Sequence, residues 1–164
     1  MLFLLCQVGA GRFVIPGERI IEVLPMVSVS RMVGLPDAVA GVMQYRGVSI
    51  PVVDLSQLTA GFPAPARMNT RVVLVTARTA DGQTQIYGLI AERATRMISL
   101  TQEQFTVVSE DGYDLPFLGK VAWESGIAMR QIEVDRIPER VLAPAASGRT
   151  NFANLRRAQT AKSH

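Results

Sequence analysis

Short apolar runs separated by turn residues dominate the pattern along the chain. In the second half, residues 71–77 (RVVLVTA) and 85–92 (QIYGLIAE) are rich in β-branched and aromatic side chains, and an Asp-Gly pair lies between them. This arrangement predicts a β-hairpin, because Asp-Gly is a favoured hairpin turn. Residues 93–100 predict a further strand. The runs FLGKVAWE and GIAMRQIEV predict a second hairpin across Ser125-Gly126.

The first half of the chain has the same character. Residues 2–8 and 12–16 flank a Gly-rich break and predict a hairpin. Residues 18–25 are consistent with either a turn or a bent strand. Residues 27–33 (VSVSRMV) alternate with period two, which predicts a half-buried strand. Residues 41–55 (GVMQYRGVSIPVVDL) predict two strands on either side of a bare Arg-Gly pair.

Helical signals are few and short. The cap-forming residues Asp37, Asp54 and Thr101 each precede a stretch that can form a helical turn. They predict one turn at 37–41, a short helix from Asp54 that stops at Gly61, and one turn within 101–108. Residues 134–142 predict a closing helix limited by Pro138.

These elements indicate a mainly β protein. Nine or ten short strands with turn signals every 8–12 residues are typical of sandwiches and barrels. Residues 61–69 are rich in Pro, Gly and Ala, which indicates a linker. The sequence therefore predicts two small barrels, the first at about 1–60 and the second at about 70–133, followed by the closing helix at 134–142. We expect residues 143–164 to form a basic, flexible tail.

Charge argues against a nucleic-acid groove. The net charge is +3, but Arg149, Arg156, Arg157 and Lys162 lie in the last sixteen residues. Without them the chain has 13 basic and 14 acidic residues. Small barrels bind single strands through basic grooves lined with aromatic side chains. With only 6% aromatic residues and a nearly neutral body, nucleic-acid binding remains a distant alternative.

The residues that carry most catalytic chemistry are scarce. His164 and Cys6 are the only histidine and cysteine, which excludes the usual zinc ligand sets. No nucleophile elbow or phosphate-binding glycine loop is present in the sequence. Asp54 follows a strand as a phosphoacceptor can, but a helix cap is the favoured interpretation. The sequence predicts a protein that is not an enzyme and has no cofactor and no metal.

Neither a signal peptide nor a membrane span is indicated by the apolar runs. The opening MLFLL lacks a preceding basic segment and is soon interrupted by Gln7 and Gly9. No run approaches the roughly 18 apolar residues of a spanning helix. We therefore expect a cytoplasmic protein, in which Cys6 is a buried and unreactive thiol.

Arg46 is the residue that composition alone does not explain. Gly47 supplies a positive φ for a hairpin turn, but Asn or Asp would serve the first turn position better than Arg. A cation at a hairpin tip is either a solvated turn residue or a group that a partner contacts. The residues themselves leave these two alternatives open.

The stretch GVMQYRGVSIPVVDL resembles the signature of the CheW family of bacterial chemotaxis adaptors. Further segments are similar to that family: FVIPGERIIEVLP, LPDAVAGV, TRVVLVT with YGLIAERATRMISL, and AMRQIEVDRI. The resemblance covers residues 3 to about 142. The chain departs from the family pattern at Gln44 and Tyr45, where the family carries Asn and Leu, and at Ala91-Glu92, where it carries Val-Asp.

The resemblance implies a fold, a function and a set of contacts. The fold is two SH3-like five-stranded barrels with short helices and a groove between the barrels. The function is a non-catalytic scaffold or adaptor that couples a methyl-accepting chemoreceptor to a CheA-type histidine kinase. The implied partners are the cytoplasmic hairpin tip of the receptor and the regulatory domain of the kinase. By position, the residues near the receptor groove are Ile20, Glu22, Gln44, Tyr45, Arg46 and Val72.

The same resemblance bears on location and pathway. It implies a cytoplasmic protein that is recruited to membrane receptor arrays and reaches the membrane only through the receptor. The departures from the family pattern favour a paralogue in a separate signalling array. The alternatives are the Wsp surface-sensing type, with cyclic-di-GMP output, and pilus motility.

Overall fold

Strands make up most of the computed structural model, which describes residues 1–26, 29–108 and 115–142. The strands are β1 (Leu2–Val8), β2 (Gly11–Pro16), β3 (Ile20–Pro25), β4 (Val39–Tyr45), β5 (Val48–Asp54), β6 (Arg71–Arg78), β7 (Thr84–Ser99), β8 (Phe105–Thr106), β9 (Leu118–Glu124) and β10 (Ile127–Ile132). One α-helix, α1 (Leu55–Ala60), and 3₁₀ turns at Gly17–Arg19 and Gln102–Gln104 accompany them, with a π-helical turn at Pro138–Leu142. The mainly β prediction is confirmed.

The strands form two lobes that share β7. In the terminal lobe the order is β7-β1-β2-β10-β9-β8, and in the central lobe it is β3-β6-β7-β5-β4. Residues 84–91 of β7 pair with β6, and residues 92–99 pair with β1. At the crossing Arg93 has a φ of 50°, and the β1 register shifts between Leu5 and Gln7. The bend at Arg93 lets a single strand serve both lobes, and the sheet does not close into a barrel.

The predicted division of the chain at residues 61–69 is wrong as a boundary between lobes. β1 and β2 lie beside β10, with Phe13 opposite Arg130, so the terminal lobe is built from both ends of the chain. Residues 61–69 connect α1 to β6 within the central lobe. Residues 85–92 and 93–100, predicted as two strands, belong to β7. Periodicity identifies strands, but it does not say which strands pair.

Two predicted elements before β4 also differ from the structure. Residues 27–33 form no strand in their described part, where Ser30 makes an isolated bridge to Val42. Val33 is 100% exposed, so the alternation does not mark a buried face. Residues 37–41 are not helical, because the Val39 amide donates to the Pro36 carbonyl in a turn and β4 then begins. Residues 143–164, the predicted tail, lie outside the described residues.

Asp54 is a helix cap, as its position before α1 predicted. Its Oδ1 accepts hydrogen bonds from the amides of Ser56 and Gln57, at 3.0 and 3.2 Å. Its Oδ2 accepts a third from the Ala64 amide at 3.0 Å. Both oxygens therefore hold α1 and the following segment in place, and Gly61 ends the helix in the left-handed conformation. Within the described residues, no helix is long and apolar enough to cross a membrane.

The core has three parts, one in each lobe and one between the lobes. Phe3, Val14, Ile98 and Met129 fill the terminal lobe, and Met43, Ile50, Val52 and Leu74 fill the central lobe. The largest cluster lies between the lobes and includes Leu4, Cys6, Ile15, Val53, Val73 and Leu89. Tyr87 is fully buried in it and donates a hydrogen bond of 2.7 Å to the Val134 carbonyl. This shared core fixes the two lobes against each other.

Cys6 is expected to react slowly with a thiol reagent in the native protein. Its side chain is 1% exposed, and burial raises the pKa of its thiol from 9.0 to about 12. The reactive thiolate is therefore scarce in the folded state, whereas in the unfolded state the thiol ionises near pH 9. The contribution of the protonated thiol to stability is complete below pH 9 and is lost as the pH rises towards 12.

The measurement is the rate of labelling by a thiol-reactive dye at pH 8, in buffer and in denaturant. We expect complete labelling within minutes in denaturant. Labelling in buffer should be at least a hundredfold slower, because a pKa shift of this size lowers the fraction of thiolate by at least that factor. Native labelling as fast as in denaturant would contradict the burial of β1 between the lobes.

Candidate partner-binding site

The Arg46-Gly47 turn joins β4 to β5 at the tip of a hairpin. Arg46 has a φ of 50° and Gly47 a φ of 79°, so both central residues are left-handed, as a type I′ turn requires. The sequence predicts a positive φ at Gly47 alone. A non-glycine residue in this region costs roughly 1 kcal/mol. Arg46 therefore occupies a position where Asn would be better for the turn itself.

The Arg46 side chain has little role in the fold. It is exposed, and its Cζ lies 5.2 Å from the centroid of the Tyr45 ring. Such an exposed cation–π contact stabilises by roughly 0.5–1 kcal/mol. Among the described residues, no hydrogen bond or ion pair is made by its guanidinium. Its planar set of donors is accordingly available to a carboxylate or carbonyl from outside the protein.

Tyr45 and Glu22 connect the two outer strands of the central lobe. The Tyr45 hydroxyl donates a hydrogen bond of 2.7 Å to Oε2 of Glu22, which joins β4 to β3. This bond, with partial burial, raises the pKa of the Tyr45 hydroxyl above its ordinary value. The tyrosine ring also packs against the central-lobe core. The structure thus brings together Arg46, Tyr45 and Glu22, three of the six residues assigned from the resemblance.

The other three assigned residues have different surroundings. Gln44 is exposed on β4, directly before Tyr45, and extends the tip. Ile20 is half-buried and packs against the core between the lobes. Val72 is 0% exposed and lies in the central-lobe core. The assignment of Val72 as a side-chain contact is therefore wrong, because alternate residues of β6 face opposite sides and this one faces inward.

Two exposed apolar residues on β3 were missed by the sequence analysis. Ile21 is 41% and Val23 37% exposed, while Ile20, Glu22 and Leu24 between them are half-buried. The period-two alternation of IIEVLP contains this information. Both sets are largely apolar, however, so the pattern alone does not say which set faces the core.

Metal chemistry has no support in this part of the molecule. The described residues contain no group of three or more His, Cys, Asp or Glu side chains that could hold a metal ion. One oxygen of the Glu22 carboxylate accepts a hydrogen bond from the Tyr45 hydroxyl. The geometry suits recognition by hydrogen bonds and apolar contact.

Comparisons with known proteins agree with this fold. Residues 2–143 match the CheW-like domain family. The chemotaxis protein CheW of Klebsiella aerogenes is 28% identical over 108 residues, which cover 66% of this chain and 62% of that relative, so this chain spans less than two thirds of the relative's length. The crystal structure of the scaffolding protein TtCheW from Thermoanaerobacter tengcongensis has the same fold, with a TM-score of 0.70 at 18% identity over 80% of this chain and 82% of that one. The resemblance of the signature segment is thereby confirmed, and the chain belongs to the CheW-like domain family of scaffolds and adaptors.

Proposed function

We propose that this protein is a non-catalytic adaptor that couples a chemoreceptor to a CheA-type histidine kinase. The observation that carries the proposal is Arg46. This residue holds an exposed guanidinium on a left-handed turn that another residue would form at lower cost. Because the side chain has no hydrogen bond or ion pair within the described residues, a contact with a partner accounts for its presence. Family membership supports a chemoreceptor and a CheA-type kinase as the class of partner.

The receptor surface is proposed to be the hairpin tip formed by Gln44, Tyr45 and Arg46, together with Glu22 on β3. In this proposal the receptor hairpin tip meets the surface with carboxylate or carbonyl oxygens as acceptors. The guanidinium of Arg46 matches such acceptors in a two-pronged geometry. The hydrogen bond from Tyr45 to Glu22 holds the base of the tip in place. The site is therefore formed before the receptor arrives, which reduces the entropy lost on binding.

The kinase is proposed to bind a different part of the molecule. An adaptor must hold both partners at once, so the two surfaces cannot overlap. The hairpin tip occupies one end of the central lobe, and the terminal lobe is built from other strands. In this proposal the protein reaches the membrane through the receptor. The pathway is flagellar chemotaxis, surface sensing with cyclic-di-GMP output, or pilus motility, according to the receptor and kinase that bind.

The proposal is tested by recovering partners from cells that express a tagged wild-type protein or its Arg46→Ala variant. We expect the wild type to retain a chemoreceptor and a CheA-type kinase, identified by mass spectrometry of the bound chains. The variant should retain the kinase and lose most of the receptor. Recovery of neither partner by the wild type would refute the adaptor role, and the output proteins recovered with the kinase would identify the pathway.

A further inference from the structure

A small cleft of about 250 Å³ lies where the two lobes meet, at the end of β5 away from the Arg46 turn. It is lined by the end of β1 and the turn after it, by the connection from α1 to β6, and by the bend of β7 that the lobes share. Small-molecule sites occur preferentially at such junctions. The lining includes Gln7, Phe62, Pro65, Arg67, Glu92 and Arg93, all within described segments.

The carboxylate of Glu92 lacks a donor in the described part of the fold. Its Oε2 atom is buried, but it accepts no hydrogen bond there, and the carboxylate forms no ion pair with the described residues. A buried charged oxygen without a donor is unfavourable, so such atoms are usually paired in native proteins. Gln7 lies opposite Glu92 across the β1–β7 pair, but its Nε2 donates to the Gly9 carbonyl at 2.8 Å. An ammonium group bound in the cleft would supply the missing partner, and the Gln7 amide oxygen is a second acceptor for it.

Two guanidinium groups line the same cleft. The side chains of Arg67 and Arg93 are exposed, and neither makes a hydrogen bond or an ion pair with Glu92 or with any other described residue. Arg93 has a φ of 50°, a left-handed conformation that Gly or Asn adopts at lower cost. The backbone therefore does not explain an arginine at this position. Each guanidinium presents a planar fork of donors that matches a carboxylate.

The central-lobe wall of the cleft is held in place by hydrogen bonds. Thr70 is fully buried, and its hydroxyl donates a hydrogen bond of 2.7 Å to the Pro65 carbonyl and accepts one of 3.2 Å from the Arg67 amide. The Ala64 amide donates to Asp54 Oδ2 at 3.0 Å. These bonds fix the backbone that carries Pro65 and Arg67. A wall that is formed before the ligand arrives reduces the entropy lost on binding.

The charges of the cleft select a ligand that carries both signs. A simple anion would be attracted by the two guanidinium groups but repelled by Glu92, and a simple cation would meet the reverse. A zwitterion satisfies all three groups. Phe62 and Pro65 add an apolar surface beside them. The volume of about 250 Å³ lies below the roughly 300–1,000 Å³ of sites for drug-sized ligands, which favours a molecule of amino-acid size.

We propose that this cleft binds a free α-amino acid with an apolar side chain. The ammonium group lies against Glu92 and the Gln7 amide oxygen, and the carboxylate lies against the guanidinium groups. The side chain packs on Phe62 and Pro65. The ligand thereby contacts both lobes and the bend between them. The cleft shares no residue with the hairpin tip, so the amino-acid site and the adaptor role stand independently.

The test is calorimetric titration of the full chain with L-leucine and with two analogues that each lack one charge. 4-Methylpentanoate is leucine without the ammonium group, and 3-methylbutylamine is leucine without the carboxylate. We expect leucine to bind at least about tenfold more tightly than either analogue, because each analogue loses a set of charge-assisted hydrogen bonds. Glycine, which lacks the apolar side chain, should also bind more weakly than leucine.

Two variants assign the two charges of the ligand to the cleft. Glu92→Gln should weaken leucine binding about tenfold and strengthen binding of 4-methylpentanoate, because the repulsion of its carboxylate is removed. Arg93→Gly should weaken binding of leucine and of 4-methylpentanoate and should not weaken binding of 3-methylbutylamine. Both variants are expected to fold, since Gln has the shape of Glu and Gly adopts the left-handed conformation of residue 93 at lower cost.

Arg96→Ala is the matched control, because it removes an exposed cation from the same strand, β7, at a position that does not line the cleft. It should leave leucine affinity unchanged, and a thermal melt of each variant reports whether it folds. Absence of leucine binding by the wild type would overturn the proposal. So would an analogue that binds as tightly as leucine, or equal losses for Arg93→Gly and Arg96→Ala.

Discussion

Replacing Gly41 by alanine is expected to lower the free energy of unfolding by about 2–4 kcal/mol. Gly41 opens the signature stretch and has a φ of 152°, where side chains are rarely tolerated. An added β-carbon would lie 2.8 Å from the Ser30 carbonyl carbon and 3.0 Å from Val29 Cγ1. Ser30 is held there by two hydrogen bonds to Val42, both 2.9 Å. The backbone itself must therefore shift.

The matched control for this change is Gly47→Ala, followed by urea unfolding of both variants and the wild type. Gly47 also has a positive φ, of 79°, but nothing lies within 4 Å of its added β-carbon. The Gly47→Ala variant should lose only about 1 kcal/mol of unfolding free energy, from backbone strain alone. Equal losses for the two variants would show that Ser30 does not approach Gly41 as closely as the structure has it.

Replacing Arg46 by alanine is expected to reduce receptor affinity about thirtyfold, which corresponds to about 2 kcal/mol. A guanidinium that is desolvated against a receptor acceptor is an anchor of the kind whose truncation costs this much. The same change should alter the melting temperature little, because the side chain lacks hydrogen bonds and ion pairs within the described residues. Kinase affinity should be unchanged if the two surfaces are separate.

Two further variants at position 46 separate the charge from the turn. Arg46→Asn supplies the residue that a type I′ turn prefers, so it should be at least as stable as the wild type and still lose receptor binding. Arg46→Lys keeps the charge but cannot copy the planar fork, so it should also lose affinity. Normal receptor binding by Arg46→Asn would reduce Arg46 to a turn residue. Unfolding of Arg46→Ala would instead make it structural.

The sequence predicts the strands of this protein better than it predicts their arrangement. Local signals found the tight hairpins at Gly9-Ala10, Arg46-Gly47 and Ser125-Gly126, and the Asp54 cap, because each depends on a few adjacent residues. The pairing of β2 with β10 joins residues more than a hundred positions apart. The hydrophobic periodicity of the sequence does not predict that contact, so the sequence alone places the division between the lobes at residues 61–69.

The candidate site was also predictable only where it depends on local sequence, and its spatial contacts were not. Arg46 could be selected because Arg is a poor choice for its turn, and Glu22 and Tyr45 were assigned by their positions in the segments that resemble the family. The hydrogen bond between them depends on how β3 and β4 are placed in space. Val72 was misassigned because β6 is apolar on both faces, which leaves its orientation undetermined until the lobes are assembled.

The central claim, that the protein holds a receptor and a kinase together, is tested most directly by a surface-capture measurement. A receptor cytoplasmic hairpin is immobilised, and the regulatory domain of a CheA-type kinase is passed over it with and without this protein. The account predicts that the kinase domain is retained only when the protein is present, and that Arg46→Asn abolishes most of that retention. Retention that is the same without the protein, or no retention when it is present, would contradict the account.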